Sequence, residues 1–128
     1  MSGNLNYAFD HVHLYCSDVA ASERWFVDVM GAEVVRHRTA NDAPVTDLRI
    51  GGVNVFLFTG DKTANAPGRE HLGTEHFGLR VENLAATAEE LRRRGVQFDV
   101  EPKQTRPDLS IAFVKGPDNV RIELLQRG

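Results

Sequence analysis

The chain has a single cysteine, Cys16, among 128 residues, so no disulfide can close within it. That suits a reducing compartment, and a cytoplasmic location is expected. No apolar run approaches the roughly 20 residues that cross a bilayer. The opening residues, MSGNLNYAFD, offer neither the basic nor the apolar region of a secretory leader. No membrane partner is expected. Charge of one sign is also scarce, the net balance being −3. Nucleic-acid binding needs a concentrated basic patch. The densest basic run, Arg92-Arg93-Arg94, falls in the last turn of a predicted helix, where cations complement the dipole. Nucleic acid is therefore not an expected partner.

What is present is an internal repeat. Phe9–Asp18, FDHVHLYCSD, returns as Thr74–Asn83, TEHFGLRVEN. In both copies a histidine precedes, at the same offset, the Asp or Asn that opens a helix: His11 before Asp18, His76 before Asn83. Paired alanines follow each cap, and Gly31 and Gly95 close the two helices.

In chain order, a strand is predicted at about Asp10–Cys16 and a helix from Ser17 or Asp18 to Gly31. The buried stripe of that helix is Ser22, Trp25, Phe26, Val29 and Met30. Strands follow at Glu33–Arg38, Thr46–Ile50 and Val53–Thr59, with a polar turn at residues 41–44. Residues 60–73 read as a surface linker. The second unit has a strand His76–Val81, a helix Asn83 to about Arg94, and strands near Val96–Val100, Ser110–Lys115 and Val120–Gln126. The order is βαβββ, linker, βαβββ. An α+β fold is expected, one domain over residues 1–128, with repeats at about 9–59 and 74–126. A helix covers one face of each four-stranded unit. The units can then join as an eight-stranded curved mixed sheet, a half-barrel cup with its helices outside and a ligand inside.

Alternation assigns the faces. Val12, Leu14 and Cys16 form the apolar set of the first strand, with Cys16 a small buried hydrophobe; His11, His13 and Tyr15 face the cup. In the second unit Phe77, Leu79 and Val81 face the helix, leaving His76, Gly78 and Arg80 on the cup side. In the last strand Val120, Ile122 and Leu124 are core, and Arg121, Glu123 and Leu125 face the cup. Two imidazoles and one carboxylate on a common cup, His11, His76 and Glu123, are a ligand set for a divalent transition metal with open positions for substrate or water.

Nearly the whole chain, residues 9–126, resembles the vicinal oxygen chelate superfamily of glyoxalase I, extradiol dioxygenases, and fosfomycin- and bleomycin-resistance proteins. The stretches are DHVHLYCSDVAASERWFVDVMGAEV, GTEHFGLRVENLAATAEELRRRGVQF and IAFVKGPDNVRIELLQ. The resemblance puts the metal ligands on His11, His76 and Glu123, and implies Fe, Mn, Zn or Ni and a small-molecule substrate. It also implies a homodimer, in which His11 can meet His76 and Glu123 of a second copy; a cup within one chain is equally compatible with the spacing. Glyoxalase I-like members carry a fourth ligand, usually Glu, on the last strand of the first unit. Here Phe56 or Phe58 stands there, which leaves three protein ligands, as in the dioxygenase and fosfomycin-type members. Extradiol dioxygenases carry two such modules in one chain, and Asn119 replaces a usual Gly.

Catalytic assistance is expected from His13, as a base or as a support for the ligands, and from Tyr15 and Arg80 on the same side. Arg121 suits either an anionic substrate or a salt partner. His71 and Glu75 can reach the mouth of the cup; His37 reads as surface and Trp25 as core. The expected function is a divalent-metal-dependent lyase, isomerase or dioxygenase that chelates its substrate through vicinal oxygens. The alternative is a metal-free binder of a planar or antibiotic-like molecule, as in bleomycin resistance, for which Phe56 and Phe58 would supply stacking walls.

Overall fold

The computed structural model describes residues 5–6, 8–61 and 72–128. Most of the expected linker, His71 included, lies outside the described residues. The elements are β1 (His11–Cys16), α1 (Val19–Asp28), β2 (Glu33–Ala40), β3 (Ala43–Ile50) and β4 (Val53–Thr59), then β5 (Phe77–Arg80), α2 (Leu84–Arg93), β6 (Phe98–Arg106), β7 (Leu109–Lys115) and β8 (Arg121–Arg127). A 3-10 turn, Pro117–Asn119, separates the last two strands.

Both helices start as their sequences dictate. The side-chain oxygens of Asp18 and Asn83 accept from the backbone N–H of Ala21 at 3.1 Å and of Ala86 at 3.0 Å. Each bond satisfies an orphan donor of the first turn. Gly31 and Gly95 follow the helices at φ +76° and +84°, the left-handed region that glycine enters at little cost.

The strands form two four-stranded mixed sheets, ordered β1-β4-β3-β2 and β5-β8-β7-β6. In each, the strand before the helix runs parallel to the last strand of its unit, and the other pairings are antiparallel. Among the described residues, neither β1 nor β5 hydrogen-bonds a second strand, so the expected α+β cup consists of two half-cups with free inner edges.

The helix sides of the two sheets share one core. Phe26 of α1, Leu48 of β3, and Val55 and Leu57 of β4 are continuous with Leu84 and Leu91 of α2, Ala112 and Val114 of β7, and Ile122 and Leu124 of β8. Cys16 is buried in it, and burial pushes its thiol pKa up, as a structural rather than reactive cysteine requires. Trp25 packs on the core and lies against Gly116. Two bonds reinforce the union of the halves: Ser17 N–H donates to Asp118 Oδ2 at 3.0 Å, and Arg94 Nη1 donates to the Val29 carbonyl at 2.9 Å.

Several expected boundaries move. The turn at residues 41–44 tightens to Asn41-Asp42, both at positive φ (53° and 60°), and β3 already begins at Ala43. A two-residue hairpin of this kind needs positive φ at both positions, which Asn and Asp tolerate. The strand expected to end at Val100 runs on through Pro102 to Arg106, with three register shifts against β7. It is an outer edge strand, where proline and bulges are tolerated. His76 falls one residue before β5.

Candidate metal centre and cup

Parallel pairing of β1 with β4 sets His11 opposite Asn54 and His13 opposite Phe56. The aromatic rings then slot between one another on the cup face. His11 stacks on Phe56 with centroids 4.3 Å apart, and His13 stacks on Phe58 at 3.9 Å. Phe56 therefore occupies the space beside His11, so that strand offers no donor there. Tyr15 lies at 4.7 Å from His13 and is 68% exposed. Burial, then the neighbouring His11 and Arg38, lower the His13 pKa from its usual value, which favours the neutral ring.

In the second half-cup β5 runs parallel to β8, with Gly78 opposite Glu123. Having no side chain, Gly78 leaves Glu123 Oε1 room beside β5; a Cβ there would stand 3.6 Å from Oε1 and 3.0 Å from Leu125 Cδ1. His76 Nε2 lies 3.2 Å from Glu123 Oε1. Two donors in adjacent positions about 2.1 Å from one ion stand about 3 Å apart, so this pair fits a shared divalent cation. The other ring nitrogen, Nδ1, donates to Glu75 Oε1 at 2.5 Å. Glu75 is fixed in turn by Arg121, whose Nη1 donates to both carboxylate oxygens at 2.8 and 2.9 Å. Arg121 is 9% exposed, lies over Phe113 at 4.0 Å and faces Asp99 at 3.5 Å through Nε. The His76 hydrogen bond, aided by Arg121, holds the Glu75 carboxyl below its usual pKa. Arg121 is thus a salt partner.

The same device recurs at the first histidine. His11 Nδ1 donates to Asp10 Oδ2 at 2.7 Å. A carboxylate can only accept, so in both repeats Nδ1 is a donor and Nε2 is the ring nitrogen a metal would take; at His76 a bound cation would replace the proton between Nε2 and Glu123. This backing was missed in the sequence, although an acidic residue stands directly before each histidine.

An open cavity of about 530 Å³ lies between the free edge of β1 and the approach to β5. His11, His13, Glu75, His76 and Arg121 line it, with Phe9, Thr74 and residues 118–120 among their neighbours. Tyr15, Arg80 and Glu123 are outside that lining; Arg80 is exposed on β5. Among the described residues, no three His, Cys, Asp or Glu side chains come close enough to hold one ion within the chain. The structure joins His76 to Glu123, while His11 lines the same cavity as His76 but completes no ligand cluster with that pair among the described residues.

A model of the Glyoxalase/Bleomycin resistance protein/Dioxygenase superfamily matches residues 8–124. The chain belongs to that superfamily. This superfamily member is 27% identical over 123 residues to a probable chloroplastic lactoylglutathione lyase of Arabidopsis thaliana, covering 92% of this chain and 35% of that protein. The chain spans less than half the length of the plant lactoylglutathione lyases it matches. It is 26% identical to the uncharacterized protein YwkD of Bacillus subtilis, covering 91% and 94% of the two chains. Among solved structures, a glyoxalase family protein from Enterococcus faecalis has a TM-score of 0.81 at 22% identity, covering 93% of this chain and 97% of that one. The α+β fold of paired βαβββ units is that of the superfamily. No described helix is long and apolar enough to cross a membrane.

Proposed function

We propose that this superfamily member is a divalent-metal-dependent enzyme acting on a small molecule with two neighbouring oxygens, through lyase, isomerase or dioxygenase chemistry. The observation that carries this reading is the His76–Glu123 pair, backed by Glu75 and matched by the Asp10–His11 pair. Its metal ligands are His11, His76 and Glu123, and the ion is Fe, Mn, Zn or Ni. A bound cation supplies a Lewis acid that polarises substrate oxygens.

The remaining work falls to the chain's own side chains. Glu75 and Asp10 hold the Nδ1 protons and turn each Nε2 toward the centre. His13, its neutral form favoured, accepts a proton from substrate at a ring nitrogen, as general bases poised near neutrality do. Phe56 and Phe58 give the cup face of β4 an apolar wall behind His11 and His13. Tyr15 and Arg80 complete the cup side as substrate contacts. With Phe56 beside His11, the site has three protein ligands. That departs from glyoxalase I-like members, although the lactoylglutathione lyase relatives support lyase chemistry in general.

That His11 completes no ligand cluster with His76 and Glu123 among the described residues supports a cup built from two copies of the chain, a homodimer. Among the described residues both inner edges are free, and exposed apolar side chains flank them: Phe9 and Tyr15 beside β1, Leu72 before β5. Free edges and exposed apolar patches are surfaces that proteins cover by association. A second reading, a metal-free binder of planar molecules, is favoured by the Phe56–Phe58 wall alone.

Metal analysis of protein purified without a metal-affinity tag or chelator tests the enzyme reading beside His76→Ala. About one transition metal per chain, lost in the variant, is the expected result. A chain that stays empty after incubation with each candidate metal would leave only the binder.

A further inference from the structure

Asp47 sits in the middle of β3 on the cup face, 2% exposed, between Thr46 and Leu48 that face the core. A carboxylate in such a place must be paired. It receives Arg36 Nε at 2.8 Å and Arg38 Nε at 3.0 and 2.9 Å on its two oxygens. Two guanidinium groups share one carboxylate, leaving an excess positive charge in a chain whose net charge is −3. Burying a carboxylate in a sheet contributes less to stability than an apolar residue of similar size. Its value here is positional.

Arg38 shows what is being positioned. Its side chain is 34% exposed and lies along the aromatic wall of β4, with Cζ 5.3 Å from the Phe56 centroid and 5.1 Å from that of Phe58. Those are the rings on which His11 and His13 stack. Asp47 engages Nε alone, so among the described residues Nη1 and Nη2 have no acceptor. These two parallel donors form the fork that suits a carboxylate or a phosphoryl group. Arg36 differs, being 66% exposed and off the aromatic rings.

We propose that Arg38 is an anion-recognition residue of the cup, clamped by Asp47 on the Phe56–Phe58 wall, and that the substrate bears an oxyanion group beside a planar apolar part. The placement of this group in a substrate cup rests on the metal-enzyme reading above. The recognition itself does not require the metal, and the test separates the two.

Benzoate and inorganic phosphate are titrated against the full chain in the presence of EDTA, following by NMR the Phe56 backbone amide signal, which every variant retains. Benzamide serves as the neutral control. Both anions should shift the signal saturably in the millimolar range and benzamide should not. Binding should weaken at least tenfold in Arg38→Gln and stay within twofold in Arg36→Gln. Phe58→Leu should weaken benzoate severalfold and leave phosphate unchanged. Because Arg38→Gln strips a partner from Asp47, Arg38→Lys is run beside it; it keeps the charge, and a severalfold loss of benzoate affinity is expected from the lost fork. Anion binding unaffected by Arg38→Gln, or benzamide binding as well as benzoate, overturns the proposal. In parallel, acetohydroxamic acid, uncharged in solution near pH 7 and a two-oxygen chelator on losing its proton to buffer, is titrated against manganese-loaded protein. If it fails to bind while benzoate binding depends on Arg38, the enzyme reading falls and the anion site stands.

Discussion

His76 Nε2 lies 3.2 Å from Glu123 Oε1, although 47 residues separate them in the chain. The contact exists because β5 and β8 run parallel and because Gly78, opposite Glu123, leaves the carboxylate space to lean toward the histidine. The side chains that hold this pair in place lead to the first prediction.

Glu75→Gln keeps the size of the side chain and removes its charge. His76 then loses the carboxylate that fixes its Nδ1 proton. Loss of such a backing group costs about 10–100-fold in metal affinity. Competition with a chromophoric chelator should give that loss at a temperature where the variant is folded; the thermal midpoint should also fall, because the nearly buried Arg121 loses a charged partner. Affinity equal to the parent's would remove Glu75 from the site.

Asp47 predicts a pH dependence. Burial alone would raise its pKa, but the Arg38 and Arg36 hydrogen bonds outweigh this and hold it below the usual carboxylate range. For a carboxyl whose folded pKa is depressed, the stabilisation is fully present above the unfolded pKa and is lost as pH falls through the folded one. Denaturant unfolding should show this contribution intact from pH 7 to about 4 and falling below the unfolded pKa. Asp47→Asn should cost about 1–3 kcal/mol at pH 7 and flatten the acid limb. An acid limb identical to the parent's would contradict the pairing.

The repeat makes a paired prediction at the helix caps. Asp18→Ala and Asn83→Ala each remove one bond to the first turn, worth about 1 kcal/mol. The caps lie in different units, so the double variant should lose about the sum in urea unfolding. A loss at only one cap would show that the two helices do not contribute alike.

Much of this architecture was legible because its signals are local. Alternation in β1 and β8, Asp18 and Asn83 at equal offsets after a histidine, and Gly31 and Gly95 after each helix gave the βαβββ units and the cup-side placement of His11, His76 and Glu123. The outer parts were harder. β6 is an edge strand carrying Pro102 and polar residues, so neither face imposes an apolar period on it. The Arg38–Asp47 clamp depends on cross-strand register, which shifts at the bulge between Val34 and Arg36. No spacing within one strand encodes that. Tyr15 and Arg80 fall on the expected side, yet parity says nothing of depth, and both stand outside the cavity lining.

A metal site shared between two copies of the chain should be restored by mixing two variants that each lack one ligand. His11→Ala and His76→Ala each break every site in their own homodimers. Unfolded together and refolded, they form mixed dimers in which one cup holds an intact His11 and an intact His76–Glu123 pair. Manganese binding, followed by the paramagnetic resonance of the ion, should be absent from each variant alone and return in the mixture. The expected level is one site per mixed dimer. No recovery in a mixture shown to contain mixed dimers would contradict the shared cup.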